Sequence, residues 1–442
     1  MATNMRVLEE KVADIKVNDD SNDQDGEITN TTSSLEEENE ADFKHNGPVE
    51  GLSILDLPPE MILRIFVHLD IRTIFKTVIV TCKTFYEILS AKDIWQTVFC
   101  LKWEHINLLK DLENVNSWRS IYSTYDDVDN FWRSKGGLKL NCKKLLGHSA
   151  PVDAVHVMPG KKFAVSGSRD RSVVVWDIEK FSFEDETECD IKEAVTLSGH
   201  TGWVWSVTTD ARQPHEVITG SWDKSVKVWD LNKNAENIHT FKYHPSAILT
   251  MTSYNGLILS GCYDKKVRSF DPRSEDVQEI IQHKGPILSL IVHEDFVISG
   301  SEDKTVSICD RRMTGHTLSS IGIGSEVLSM NLAHDMGFQY LRIGSKKGVL
   351  NLYDTSSQNF VLLESYQLWK DHKVLKLENF HGALIACAST GYYRAYTPDR
   401  SLKLLGTFHE HTLEISSVHS RNGIMVTGGC DDTVALWRYS KE

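Results

Sequence analysis

The chain has 442 residues, eight cysteines and a formal net charge of −14, of which residues 1–50, with 14 Asp or Glu against 4 Lys or Arg, supply −10. The remainder holds no basic stretch fit to neutralise phosphates, so nucleic acid is not an expected partner. No run approaches the ~18 apolar residues of a membrane span, and the acidic start lacks a signal-peptide pattern, so no membrane partner is expected either.

Residues 1–50 carry few aromatics and many Ser, Thr, Asn and Asp, and are expected to be a disordered, solvating acidic tail. From about residue 51 the period becomes helical. Leu57-Pro58-Pro59-Glu60 opens a helix, because Pro is tolerated in a first turn and Glu60 complements the helix N-terminus. Ile62, Ile65, Phe66 and Leu69 follow on one apolar face. Asp70 and Thr81 are expected to cap two further short helices, and Asp93 to precede a fourth with Trp95, Val98 and Phe99. A unit this small, without disulfide or metal, is near the lower limit for a self-sufficient core, and its surplus apolar residues predict a surface completed by a partner.

Residues 51–103 resemble an F-box through Leu57, Pro58, Glu60, Ile65, Phe66, Leu69, Val80, Cys82, Phe85 and Trp95. The resemblance implies docking onto the Skp-type adaptor of cullin-RING ubiquitin ligases. Its adaptor-binding set would be Leu57, Pro58, Glu60, Ile65, Phe66, Leu69, Val80, Cys82 and Trp95. Residues 104–135 then place Trp118, Ile121, Tyr122, Tyr125, Phe131 and Trp132 among charges, which predicts a helical spacer that holds the F-box rigidly relative to the C-terminal three hundred or so residues.

From Arg169 onward one unit recurs seven times: small residues, a turn position, and six residues later a large side chain usually followed by Asp. The turn positions are Asp170, Asp223, Asp264, Asp303, Lys347, Thr390 and Asp431, and their partners are Trp176, Trp229, Phe270, Cys309, Tyr353, Tyr396 and Trp437. Spacings of 53, 41, 39, 44, 43 and 41 residues fit four-stranded propeller blades rather than a helical solenoid. The long first spacing comes from Glu179 to Glu193, an acidic loop expected to bulge from the ring.

Each unit is led by a His, at His148, His200, His244, His283 and His411; the fifth lacks one and the sixth has His372 displaced by two positions. These units resemble WD repeats over about residues 138–442. The resemblance implies a hydrogen-bonded chain inside each blade, complete here as His148, Ser166, Asp170 and Trp176, as His200, Thr219, Asp223 and Trp229, and as His411, Thr427, Asp431 and Trp437. His, Ser and Asp recurring blade after blade are a structural set, not a catalytic triad. Blades five and six, with Lys347 and Thr390 at the turn, are expected to be less rigid. Only five residues follow Trp437, so 136–146 is expected to pair into the last blade as its outer strand and close the ring. The fold class is thus an all-β seven-bladed WD-repeat propeller over 136–442, preceded by a small all-α F-box domain and the helical spacer.

The cysteines, at 82, 100, 142, 189, 262, 309, 387 and 430, form no C-x-x-C pair and read as free thiols in a reducing cytoplasm or nucleus, with no metal and no cofactor.

One mouth of the channel can be read from the repeat. Before the first apolar residue of each innermost strand lie Pro151, Trp203, Ala247, Pro286, Glu326, Lys373 and Glu414; after it lie Asp153, Trp205, Leu249, Leu288, Leu328, Leu375 and Ser416; before the turn lie Arg169, Trp222, Tyr263, Glu302, Lys346, Ser389 and Cys430. Trp203, Trp205, Trp222 and Tyr263 crowd one sector, and with Arg169 they are the expected substrate-binding residues. The resemblance implies that some members recognise phosphorylated degrons with several Arg at this mouth; this ring offers Arg169 with Lys346 and Lys373 against Asp153, Glu302, Glu326 and Glu414, so an aromatic or apolar peptide anchor with one basic contact near Arg169 is expected instead. The resemblance to F-box proteins with WD repeats implies that the chain is expected to act as the non-catalytic substrate receptor of an SCF-type cullin-RING ubiquitin ligase, with a Skp-type adaptor, a cullin and a protein substrate as partners. A non-degradative scaffold is the alternative, and an enzyme would have to use Asp153, Glu414 and Arg169.

Overall fold

The computed structural model describes residues 54–90, 94–102, 119, 122, 123, 126, 131, 132, 140–160, 162–181, 194–210, 212–233, 235–293, 296–311, 317–333, 340–355, 360–398 and 400–439. The acidic tail, Asp93, Trp118, Ile121, Tyr125 and residues 182–193 of the acidic loop lie outside them, as does the Glu60 side chain. The chain divides into two compact units, residues 1–104 with 117–122, and residues 105–116 with 123–442.

The first unit is helical. Pro58 sits at the N-cap of the helix Pro59–Phe66 with Pro59 following it, where a missing N–H removes a donor that has no partner anyway. Asp70 caps the next turn, Ile71–Thr73, by accepting from the Thr73 amide (2.9 Å) and hydroxyl (2.6 Å). A π-helical stretch, Ile74–Val78, and a last turn, Ile79–Thr81, lead to the helix Lys83–Ser90. Thr81 does not cap that helix: its hydroxyl donates backward to the Thr77 carbonyl (2.7 Å), and the Cys82 sulfur takes the Phe85 amide instead (3.4 Å). The helix Ile94–Lys102 completes the unit. Ile62, Leu63, Phe66, Ile74, Phe85, Leu89, Trp95, Val98 and Phe99 form its buried interior. Phe66 meets Phe85 edge-on at 5.2 Å, while Trp95 stacks on Phe75 at 5.2 Å and donates its indole N–H to the Leu89 carbonyl (2.9 Å).

The described residues of 104–135 are helical and are shared between the two units. In the first, the Arg119 guanidinium lies 3.8 Å over the Phe75 ring, and Tyr122 packs on Trp95 while its hydroxyl accepts from Lys102 (3.2 Å). In the second, Phe131 stacks on His381 and Trp132 donates to the His381 carbonyl (3.3 Å) beside Phe380 and Phe408.

The second unit is a seven-bladed propeller of four-stranded antiparallel sheets: blades one to six cover 152–197, 204–241, 248–282, 287–322, 327–367 and 374–409, and blade seven covers 415–439. Its fourth strand is Leu140–Leu146, paired antiparallel with Thr433–Tyr439 from Leu140 opposite Tyr439 to Leu146 opposite Thr433. The ring is sealed between blades seven and one by the Val155 amide on the Ser417 hydroxyl (3.2 Å) and the Val157 amide on His419 Nδ1 (3.1 Å). The small residues of the repeat have a packing reason. A Cβ on Gly167 or Gly300 would lie 2.6 or 2.4 Å from a methyl of Val204 or Val327, the first apolar residue of the next blade. Blades nest because that side chain fills the place of the missing one.

The chain of hydrogen bonds inside blade one has a direction fixed by chemistry. The Trp176 indole can only donate and does so to Ser166 Oγ (2.8 Å); a carboxylate can only accept, so His148 Nδ1–H donates to Asp170 (2.9 Å) and Nε2 accepts from Ser166 (2.8 Å). Blades two and seven repeat it through Trp229, Thr219, His200 and Asp223, and through Trp437, Thr427, His411 and Asp431. Blade four keeps His283, Ser299 and Asp303 without a tryptophan. Blade three reverses the direction: Asp264 pairs with Arg268 (2.7 Å), Arg268 donates to His244 Nδ1 (3.1 Å), and His244 must therefore donate from Nε2 to Ser260 (2.7 Å).

These contacts set an acid response. Burial favours a neutral imidazole; aided by Arg268 it pushes His244 down to about 4, and aided by Arg421 it pushes His419 to about 4. Burial also lowers His156, which lies against His419, and outweighs Asp303 in lowering His283. A depressed histidine contributes stability fully above its unfolded pKa of ~6.5 and loses it as pH falls toward the folded value. Glu378, which burial pushes up to about 8, works the other way, as do Asp153 and Glu216, also raised by burial; the depressed histidines, with His381 among them, outnumber these carboxyls. Burial alone would raise Asp170, Asp223 and Asp431, but hydrogen bonds from their histidines and neighbouring hydroxyls hold them below the usual carboxylate range. Their contribution is lost below about pH 3.9. The melting temperature should therefore fall between pH 6.5 and 4 and more steeply below 4; a scanning-calorimetry series that stays flat from pH 7 to 4.5 would contradict the histidine assignment.

Candidate functional site

The mouth is built from one repeated backbone arrangement. In six blades the residue before the turn donates its amide to the residue before the innermost strand: Arg169 to Pro151, Trp222 to Trp203, Tyr263 to Ala247, Glu302 to Pro286, Lys346 to Glu326 and Cys430 to Glu414, all at 2.8–3.0 Å. Blade six substitutes the Ser389 hydroxyl, which accepts from the Lys373 amide (3.2 Å). Each innermost strand also carries a register shift at its first residues, so that Asp153, Trp205, Leu249, Leu288, Leu328, Leu375 and Ser416 drop out of the ladder. An extra residue in a strand re-aims its side chain. Repetition around the ring sets seven such positions at the channel.

Blade two gathers the tryptophans. Trp203 and Trp205 stack at 6.2 Å, and Trp222 touches both, at 5.0 and 5.5 Å. Trp203 and Trp222 are each 39% exposed and Tyr263 53%, while Trp205 is half-buried. Large rings left this open contribute little to the fold and much to a partner that covers them.

Arg169 departs from the sequence expectation of a free basic contact. Its Nε and Nη2 donate to the two oxygens of Asp153 at 2.8 and 3.0 Å, and its guanidinium lies 5.4 and 5.2 Å over Trp203 and Trp205. Burial raises the Asp153 pKa against the pull of Arg169, and the bond to Asp153 raises that of Arg169. Both carboxylate oxygens are taken by the one guanidinium, so the pair is a brace under the tryptophans rather than a site for an incoming anion. Lys346 is likewise paired, with Glu326 (3.1 Å). Elsewhere His244, Cys262 and Asp264 converge closely enough to ligate a cation. The Arg268 guanidinium already supplies that charge, bound to Asp264 and His244.

In the helical unit the expected adaptor contacts separate by exposure. Pro58, Ile65 (39%) and Val80 (73%) are exposed, and Leu57, Leu69 and Cys82 are half-buried. Phe66 at 2% and Trp95 at 3% are corrected to core residues that hold the helices together. Ile54, Leu55, Met61 and Tyr86, which the sequence reading did not single out, are also exposed, at 42–58%. The i, i+4 spacing of Met61 and Ile65 was the available signal for the first helix.

A family model for the F-box-like domain matches residues 54–101, and one for the WD domain, G-beta repeat, matches 140–177, 191–230, 235–271, 274–310 and 402–438. Blade five and the first three strands of blade six fall between the last two segments, where Lys347 and Thr390 replace the turn Asp, and the outer strand of blade six, Leu404–His409, lies in the last segment. The chain is 28% identical over 389 residues to F-box/WD repeat-containing protein 9 of Homo sapiens, covering 87% of this chain and 82% of the relative. Identity to the Bos taurus protein of that name is 25% over 397 residues, 89% and 84% of the two chains. The Caenorhabditis elegans F-box/WD repeat-containing protein mec-15 is 26% identical over 233 residues, 50% and 55%. Among the described residues no helix is long and apolar enough to cross a membrane. With an F-box-like helical unit ahead of a seven-bladed ring of WD repeats, the chain belongs to the F-box/WD-repeat proteins.

Proposed function

We propose that this chain is the substrate-recognition subunit of an SCF-type cullin-RING ubiquitin ligase. The helical unit binds a Skp-type adaptor and through it a cullin, and the propeller mouth binds a protein substrate. Ubiquitin transfer then depends on bringing a substrate lysine to a charged conjugating enzyme elsewhere in the assembly, an approximation effect worth several orders of magnitude without chemistry from this chain. The observation that carries the reading is the presence, in one chain, of two exposed apolar surfaces on complete folds: Met61, Ile65 and Val80 on the helices, and Trp203, Trp222 and Tyr263 at the mouth. Arg169, closed onto Asp153, supports a receptor that does not select a single phosphate.

Co-purification with adaptor and cullin tests the proposal. The wild type should form a stoichiometric complex, and Leu57→Ala with Pro58→Ala should weaken it by about a hundredfold, since residues at the centre of an interface dominate its energy, with the propeller still folded. A well-folded wild type that forms no complex would favour the alternative, a non-degradative scaffold.

A further inference from the structure

Around the tryptophan cluster the mouth carries a charge pattern that the adaptor reading leaves unused. In blades one to four the residue after the turn Asp is Arg171, Lys224, Lys265 and Lys304, and in blade five the turn position itself is Lys347. All five are exposed, and none forms a salt bridge among the described residues. The first four share a left-handed backbone, with φ of 73, 69, 74 and 69°, so one turn geometry carries each side chain to the equivalent place on its blade. The opposite sector differs: blade six has Gly391 there, and blade seven has Asp432 with Glu414 nearby. Even with exposed Glu302 counted, and with Asp153 and Glu326 paired to Arg169 and Lys346, blades one to five remain basic on balance at the mouth of a chain of net charge −14, while blade six adds Lys373. The middle of this basic sector, in blades two and three, is where Trp203, Trp222 and Tyr263 stand open.

We propose that the mouth receives an acidic, unphosphorylated peptide segment with an aromatic or branched apolar anchor. The anchor covers Trp203, Trp222 and Tyr263, and Asp or Glu residues on either side of it face Arg171, Lys224, Lys265, Lys304 and Lys347. This deepens the reading of the mouth as the substrate site and rests on it. Four of the five cations are lysines, point charges without a planar fork, and they lie one blade apart, so they read net negative charge along an extended segment rather than the geometry of one phosphate. Stacked nucleobases are disfavoured because the Arg169 guanidinium already lies over Trp203 and Trp205.

Fluorescence anisotropy on the full chain tests this with labelled peptides bearing a central Phe, Leu or Trp flanked on each side by four Glu. At least one should bind, and Lys224→Glu with Lys265→Glu should weaken it by about tenfold at low salt and less at 0.3 M NaCl, with an unchanged melting temperature. Trp222→Ala should weaken it similarly, a peptide with Lys in place of Glu should not bind, and phosphoserines supplying equal charge should bind no tighter than the Glu peptide. The inference is overturned by no binding of any acidic peptide, by indifference to the charge reversal, by preference for the Lys peptide, by marked tightening with phosphoserine, or by stronger binding of a thymidine oligonucleotide. Peptide binding is read without adaptor, so its failure beside an intact adaptor complex overturns this inference alone, and the converse overturns the ligase reading alone.

Discussion

Gly348→Ala and Gly391→Ala are each expected to destabilise the propeller by roughly 3 kcal/mol or more, whereas Lys224→Ala, at the same turn of blade two, should change stability by less than about 0.5 kcal/mol. All three positions hold φ near 70°, a region that disfavours any residue with a Cβ. In blade two the strain is offset locally: Asp223 accepts from the Ser225 amide (2.9 Å) and hydroxyl (2.5 Å) and from the Thr201 amide (2.9 Å), clamping the turn from both sides. Blades five and six have Lys347 and Thr390 in place of that Asp, and glycine follows each. There the next loop also closes in. A Cβ on Gly348 would lie 2.2 Å from the Trp369 carbonyl oxygen, and one on Gly391 2.3 Å from that of His411. Backbone atoms cannot step aside as a flexible side chain can, so strain and overlap add. Urea unfolding with an unchanged slope would measure the loss. Equal tolerance of alanine at all three positions would show that the divergent blades do not depend on glycine.

The repeat was legible in the sequence because every blade solves the same local problem with residues at fixed offsets, and the period set the blade number; the closing strand, expected within 136–146, is Leu140–Leu146. Pairing that the repeat does not dictate could not be read. Arg169 could face solvent or Asp153, and only the bulge that turns Asp153 toward it decides. Arg268 enters the blade-three chain because Ser260, His244 and Asp264 leave a place on Nδ1 that no tryptophan pattern announces. The Cys82 cap was hidden by the stronger capping preference of Thr81. In the short helices an apolar residue turned toward the core and one turned toward a partner look alike, so Phe66 and Ile65, adjacent in sequence, could be told apart only by their burial.

That division of the helical unit yields the prediction with the largest effect on assembly. Ile65→Asp with Val80→Asp should reduce adaptor affinity by more than about a hundredfold, near 3 kcal/mol, while the circular-dichroism melt stays as in the wild type. Both side chains are already in water, at 39% and 73% exposure, so a carboxylate there costs the free protein little; covered by an apolar partner it would be a desolvated, unpaired charge. Trp95→Ala should behave in the opposite sense. Removing a ring that stacks on Phe75, meets Tyr122 and donates to Leu89 leaves a cavity costing ~3–5 kcal/mol, comparable to the whole stability of so small a core, and adaptor binding is lost because the surface is no longer supported from beneath. Size-exclusion co-elution paired with the melts separates the two mechanisms: a folded Ile65/Val80 double variant that still co-elutes with adaptor would move the interface off this face.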